Sequence, residues 1–296
     1  MKLYGGIEAG GTKTICVVAE GPENIISEIS FLTTTPDETI GRMVNFFLEK
    51  MKEYPLDGLG VGSFGPLDLD PVSPSYGYIT TTPKAGWYNT DIVGILENAL
   101  KLPVAVDTDV NAAAQGEYMW GNGQGMDPFV YYTIGTGIGM GGRINHSLMH
   151  GLTHPEAGHI LLMHDLRKDP FEGCCPYHGD CFEGLASGTA LEKRWGKRGE
   201  NLPADHPVWE LEAYYLAQAL SNTILTLSPR RIVLGGGVMH QQQLFPMIRR
   251  KVIGMLKGYV QSPTFLIDKI DDYIVPAKLG NRAGVLGSVA LAVNNL

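Results

Sequence analysis

"LYGGIEAGGTKTICVVAE", Leu3–Glu20, carries apolar and β-branched residues on both sides of "AGGTK", the mark of a strand, a glycine-rich turn and a second strand. It comes within one residue of the phosphate-loop pattern G-x-x-x-x-G-K-[ST]. Thr12, however, separates Gly11 from Lys13, and a strand follows where that motif needs a helix. Two readings remain: a hairpin whose turn offers N–H groups to a phosphate, or a tight turn with no ligand.

The theme returns in the second half. "PFVYYTIGTGIGMGGRIN", from Pro128, is again strand, Gly/Thr turn, strand, and its literal G-x-G-x-x-G lacks the helix that a dinucleotide site requires. "RRIVLGGGVM", from Arg230, is a strand emptying into three glycines. This weak duplication predicts two related lobes with a ligand cleft between them, and three glycine turns in one chain favour a nucleotide. We expect lobes of residues 1–117 and 118–280, with a C-terminal helix over 281–296 packing back on the first.

Between these landmarks, "TPDETIGRMVNFFLEKM" predicts a helix starting near Thr35 or Asp37, with an apolar stripe through Ile40, Val44, Phe47 and Leu48. "DGLGVGSFGPLD" is a short buried strand breaking into a Gly/Pro loop, and residues 70–87 read as irregular. "NTDIVGILENALK" is a capped helix. "LPVAVDTD" is a strand running into the helix "VNAAAQGEYMWG", with Asp107 and Asp109 at the junction. Ligands of α/β proteins gather at the carboxyl ends of strands, so an acid there can serve as a general base. The plainer reading of Asp109 is a helix cap.

With 296 residues, 44% hydrophobic and 18% charged, the chain is globular. Its net charge of −8 argues against a nucleic-acid or membrane-surface binder. The N-terminus lacks a signal-peptide pattern and no stretch is apolar enough to span a bilayer, so we expect a cytoplasmic protein. Thiols stay reduced there, so the three cysteines within Gly158–Gly184 point to metal rather than disulfides. In "CPYHGDC", Cys175, His178 and Cys181 stand at three-residue spacing, suited to zinc; Cys174 competes weakly for the place of Cys175.

"IEAGGTKT", "GSFGPLD", "DTDVNAAAQGE", "IGTGIGMGG", "HPEAGHI", "CFEGLASG" and "VLGGGV" together resemble ROK-family sugar kinases, in order and across nearly the whole chain. Glu8 in "LYGGIEAGGTKT", with "TPKAGW", resembles the zinc-containing bacterial fructokinase branch. The resemblance implies an α/β, two-lobed actin-like ATPase/hexokinase (ribonuclease H-like) fold. It also implies ATP with Mg²⁺, phosphoryl transfer to a hexose, D-fructose foremost, and a homodimer.

By position, the resemblance makes Asp109 the catalytic base, in "TDVN" where the family usually has "NDAN". Gly65, Asn111, Glu156, His159 and Glu183 then bind sugar. Gly10, Gly11, Thr12, Lys13, Thr136, Gly137, Gly188, Gly235 and Gly236 fall in the nucleotide motifs. His159 joins Cys175, His178 and Cys181 around Zn²⁺, although the family pattern there is three cysteines, C-x-C-G-x-x-G-C. Glu8 stands where most of the family has Asp, which lengthens its reach toward Mg²⁺. The alternatives are a glucokinase or mannokinase of the same family, or a sugar-sensing regulator. A regulator would need a DNA-binding domain before the first strand, which here begins at once.

Overall fold

A computed structural model describes residues 2–266 and 269–296. The chain forms two units: Met1–Gln124 with Ser147–Pro155 and Arg282–Leu296, and Gly125–His146 with Glu156–Asn281. The expected division after residue 117 would fall inside a helix, and residues 147–155 belong with the first unit, not the second.

Unit 1 opens on the hairpin read from the sequence: β1 (Tyr4–Ala9) pairs antiparallel with β2 (Lys13–Gly21), Ala9 opposite Thr14. The strand β3 (Asn24–Leu32) adds to β2, antiparallel. Helix α1 (Pro36–Lys50) starts where Thr35 accepts the Glu38 N–H, with Pro36 in the first turn and two acids favouring the positive end of the helix. Its buried face runs through Ile40, Met43, Phe46 and Phe47. Leu48, expected in that stripe, is 42% exposed, because the helix turns its side chain past the edge of the core.

Next come β4 (Gly58–Ser63), parallel to β1, and a loop in which β5 (Tyr78–Ile79) and β6 (Thr90–Asp91) form a short hairpin. Helix α2 (Ile92–Leu100), capped by Asp91, leads to β7 (Val104–Thr108), parallel to β4, and then to α3 (Asp109–Trp120). The sheet order is β3-β2-β1-β4-β7. Phe47, Met43, Leu59, Trp87, Ile92 and Leu96 fill the core on one side. The buried Trp87 donates its Nε1–H to Thr34 O at 2.8 Å, which satisfies its polar tip.

In unit 2, β8 (Phe129–Ile134) and β9 (Ile138–Ile144) repeat the antiparallel hairpin, Ile134 opposite Ile138. The two-residue β10 (Ser147–Leu148) then opens the segment assigned to unit 1. Back in unit 2 lie α4 (Phe182–Ala186), α5 (Gly188–Trp195), the long α6 (Val208–Leu227), β11 (Arg231–Gly235), α7 (Leu244–Leu256) and β12 (Ile274–Pro276). Strand β11 runs parallel to both β8 and β12. The order β9-β8-β11-β12 therefore repeats β2-β1-β4-β7 of unit 1, which makes the duplication structural.

Helix α8 (Ala283–Asn295) returns to unit 1 and covers β1 and β4. Gly60 permits this: a Cβ there would stand 1.7 Å from Ser288 O. Ser288 Oγ ties the layers, donating to Ile7 O at 2.7 Å and accepting from Gly62 N at 3.1 Å.

Candidate active site

At the carboxyl end of β7, Thr108 and not Asp109 caps α3. The Thr108 Oγ1 accepts the Asn111 N–H at 3.1 Å, and Asp109 is the first residue of the helix, its Oδ1 accepting the Val110 N–H at 2.9 Å. This corrects the capping reading. A β-branched hydroxyl already in extended backbone takes the cap, and the acid moves onto the first turn, where the helix dipole favours its charged form.

Asp107 is only 2% exposed and was not assigned a role from the sequence. Its Oδ1 accepts from Thr108 N at 2.7 Å and from Asn111 Nδ2 at 2.9 Å, and its Oδ2 meets His150 Nε2 at 2.9 Å. A carboxylate only accepts, so the pairing settles which end of the Asn111 amide faces it and puts a proton on His150 Nε2. The hydrogen bond to Asp107 holds the His150 imidazole above its usual pKa, against the pull of burial. In the same segment His154 Nε2 accepts the Leu67 N–H at 3.1 Å, and burial draws that ring below its usual pKa. Leu67 follows Gly65 and the cis proline Pro66.

The β1–β2 turn exposes Gly11, Thr12 and Lys13. It is braced from below: Gly10 N donates to Lys13 O at 3.0 Å, Thr33 N to Thr12 O at 2.9 Å, and Thr33 Oγ1 to Gly10 O at 2.7 Å. Glu8, at the end of β1, keeps a buried Oε2 with no hydrogen-bond partner. Burial raises its pKa, and Lys13 and the Val285 N–H offset part of that rise. An orphaned carboxylate oxygen beside a phosphate-type turn fits a divalent cation or its hydration water.

Unit 2 carries the remaining assigned residues. The β8–β9 turn is closed by Gly135 N to Gly137 O at 2.9 Å, and the first residues of α5 lean on it, Gly188 N donating to Gly135 O at 2.7 Å and Thr189 Oγ1 to Thr136 O at 2.8 Å. Glu183, in the first turn of α4, accepts the Ile138 N–H on Oε2 at 2.9 Å. Gly235 ends β11, and Gly236 adopts φ +90°, which its position directly under Ile134 O demands of a residue without Cβ. Glu156 lies just before a 3₁₀ turn that ends at His159. Burial raises its pKa first; His159 lowers it and Glu183 raises it again.

His159, Cys175, His178 and Cys181 form one cluster, their ligand atoms all within 4.8 Å of one another. A tetrahedral zinc with bonds of about 2.3 Å to sulfur and about 2.05 Å to nitrogen would hold adjacent S and N ligands about 3.6 Å apart. The distances are 3.7 Å from Cys175 Sγ to each of His159 Nδ1 and His178 Nδ1, and 3.6 Å from Cys181 Sγ to His159 Nδ1. The donor set therefore fits Zn²⁺. Both histidines present Nδ1 to it, which leaves Nε2 of His159 for another partner. Cys174 is outside the cluster: the Cys175–Gly179 bridge, paired both ways at 3.0–3.1 Å, directs the thiol of Cys175 inward.

The ROK family matches residues 4–295. A fructokinase from Pediococcus pentosaceus is 47% identical over 292 residues, covering 98% of this chain and 97% of that one. A fructokinase from Zymomonas mobilis is 45% identical over 297 residues, with 99% and 97% covered. Among solved structures, a ROK family glucokinase from Streptomyces griseus in complex with glucose and AMPPNP is 25% identical, with a TM-score of 0.80 and 99% and 100% of the two chains covered. The α/β architecture is therefore the actin-like ATPase fold of sugar kinases.

Proposed function

The chain belongs to the ROK family, and on that premise we infer that it is an ATP-dependent fructokinase, moving the γ-phosphoryl group of ATP to D-fructose. The near-full-length identity with fructokinases carries this reading. We take the product to be fructose 6-phosphate and the setting to be the cytoplasm, where thiols stay reduced.

In this reading Asp109 accepts the proton of the sugar hydroxyl as that oxygen attacks the γ-phosphorus and ADP leaves. Phosphoryl transfer asks mainly for alignment and charge neutralisation, so one placed acid and a set of backbone donors suffice. The turn residues Gly10, Gly11, Thr12 and Lys13, with Thr136, Gly137 and Gly188, receive the phosphates, while Gly235 and Gly236 receive the adenosine. Mg²⁺, when bound, neutralises phosphate charge, with Glu8 as the carboxylate that would hold it, supported by its orphaned oxygen. Gly65, Asn111, Glu156, His159 and Glu183 bind the hexose; the acids give strong charge-assisted hydrogen bonds. His159, Cys175, His178 and Cys181 would hold Zn²⁺ as a structural ion, their four ligand atoms sufficing for a tetrahedral shell. With its Nδ1 so engaged, the His159 ring would present Nε2 in one tautomer.

Two measurements test the reading. Asp109→Asn should still bind ATP and fructose while kcat falls by about 10²–10⁴, the usual worth of a general base; near-normal turnover in a coupled ADP assay removes Asp109 from that role. A hexose panel with ATP and Mg²⁺ should give its highest kcat/KM on fructose, and a higher value on glucose or mannose reassigns the substrate.

A further inference from the structure

Residues 147–155 form a strap that belongs to unit 1, although the chain on both sides of it belongs to unit 2. Two histidines pin it. His150 holds Asp107 at 2.9 Å, and Asp107 holds the Asn111 amide at 2.9 Å; His154 accepts from Leu67 N at 3.1 Å, two residues past Gly65. Each pin thus ends beside a residue assigned above to the hexose.

The two pins differ in kind. His154 is 7% exposed and serves as an ordinary buried acceptor. The His150 side chain is 42% exposed, so core packing does not explain it, yet its partner is a buried carboxylate. That carboxylate spends one oxygen on Thr108 N and Asn111 Nδ2 together. Its other oxygen is met by His150 Nε2. The strap also approaches the amide directly, Asn111 Nδ2 lying 3.4 Å from Met149 O and from His150 Nε2. Take His150 away and Asp107 Oδ2 lacks this donor, which loosens the carboxylate that aligns the Asn111 amide.

We propose that the Asp107–His150 pair is a positioning device that sets the Asn111 amide for hexose binding. It rests on the reading of Asn111 as a sugar ligand. His150 acts through Asp107 and needs no contact with the reacting atoms. The strap around it is thereby a place where sugar preference is set at one remove.

The test compares wild type with His150→Ala, His150→Gln and Asn111→Ala, measuring kcat and KM for fructose and for ATP. Gln carries an N–H donor about where Nε2 stood, without the ring. We expect His150→Ala to raise the fructose KM about tenfold, the size of one charge-assisted hydrogen bond lost, while kcat and the ATP KM stay within about twofold. His150→Gln should recover most of that loss. An unchanged fructose KM in His150→Ala, a Gln variant no better than Ala, or an equal change in the ATP KM overturns the proposal. If Asn111→Ala raises the fructose KM and His150→Ala does not, the positioning role alone fails. If Asn111→Ala leaves the fructose KM unchanged, the sugar role of Asn111 fails and the proposal with it. Should His150→Ala not fold, His150→Asn, too short to reach Asp107, takes its place in the comparison.

Discussion

Removing the Zn²⁺ proposed for the His159 cluster is the sharpest test of how the sugar side is built. The segment from Leu161 to Cys181 has no helix or strand, and its two bridges, Leu161–Cys181 and Cys175–Gly179, both end at or beside ligands. Its middle is tied at Met163 and Asp169 to Gln218, Arg194 and Tyr215 of helices α5 and α6, which leaves the four cluster side chains to order its end, around Cys175–Cys181. Once the ion is gone, the His159 ring keeps its place in the chain but not a fixed tautomer, and Nε2 presents a donor in some molecules and an acceptor in others. Losing one well-placed partner costs about 1–2 kcal/mol, which is roughly a 5- to 30-fold rise in KM. The assay is a metal determination on protein purified without added zinc, followed by fructose titration at saturating ATP before and after chelation. We expect about one zinc per chain, matching a closed four-ligand site, and a fructose KM that rises within that range while the ATP KM holds. A fructose KM unchanged after verified loss of the ion would refute the orienting role. A preparation lacking zinc altogether would refute the site.

Two further outcomes follow from unit 1. Thr108→Ala removes the α3 cap at 3.1 Å and should cost about 1 kcal/mol in thermal unfolding. Its kcat should fall less than that of Asp109→Asn, because the proposed base remains; an equal fall would mean that the cap, not the acid, carries the catalytic loss. For pH, burial lowers the folded-state pKa of His154 below its unfolded value of about 6.5. Its contribution to stability is therefore complete above that pH and is lost as pH falls through the region below it. His150, raised by Asp107, works in the opposite sense: its contribution is complete below about 6.5 and is lost as pH rises through its higher folded value. Melting curves from pH 7.5 to 5 should thus fall less steeply for His154→Gln than for wild type, and parallel slopes would contradict this.

Much of this was legible in the chain because glycine and apolar periodicity are local signals. The β1–β2 and β8–β9 hairpins, α2, β7 and α8 all announce themselves within a few residues. The His/Cys cluster was legible by spacing, since Cys175, His178 and Cys181 lie at three-residue intervals, while His159 came from the family resemblance. Helix α6 was not read, because it is buried on most faces and shows no clean stripe. The edge strand β3 escaped for the opposite reason, with so many of its residues at the surface. The cap of α3 was assigned to the wrong residue because Thr108 and Asp109 are both good caps, and only backbone geometry separates them. The pins of the strap were invisible for a further reason: the partners of His150 and His154 lie 43 and 87 residues away, and no local pattern reports a contact of that range.

The place of α8 has a consequence for the order in which the protein matures on the ribosome. Strands β1 and β4 are synthesised before unit 2, but the helix that seals their glycine-lined face is made only after it. Until that helix emerges, the part of the face around Gly6 and Gly60 lies open to water and to chaperones. Unit 1 thus begins before unit 2 and is sealed only after it, and a nascent chain arrested before Ala283 holds its sheet without that helix.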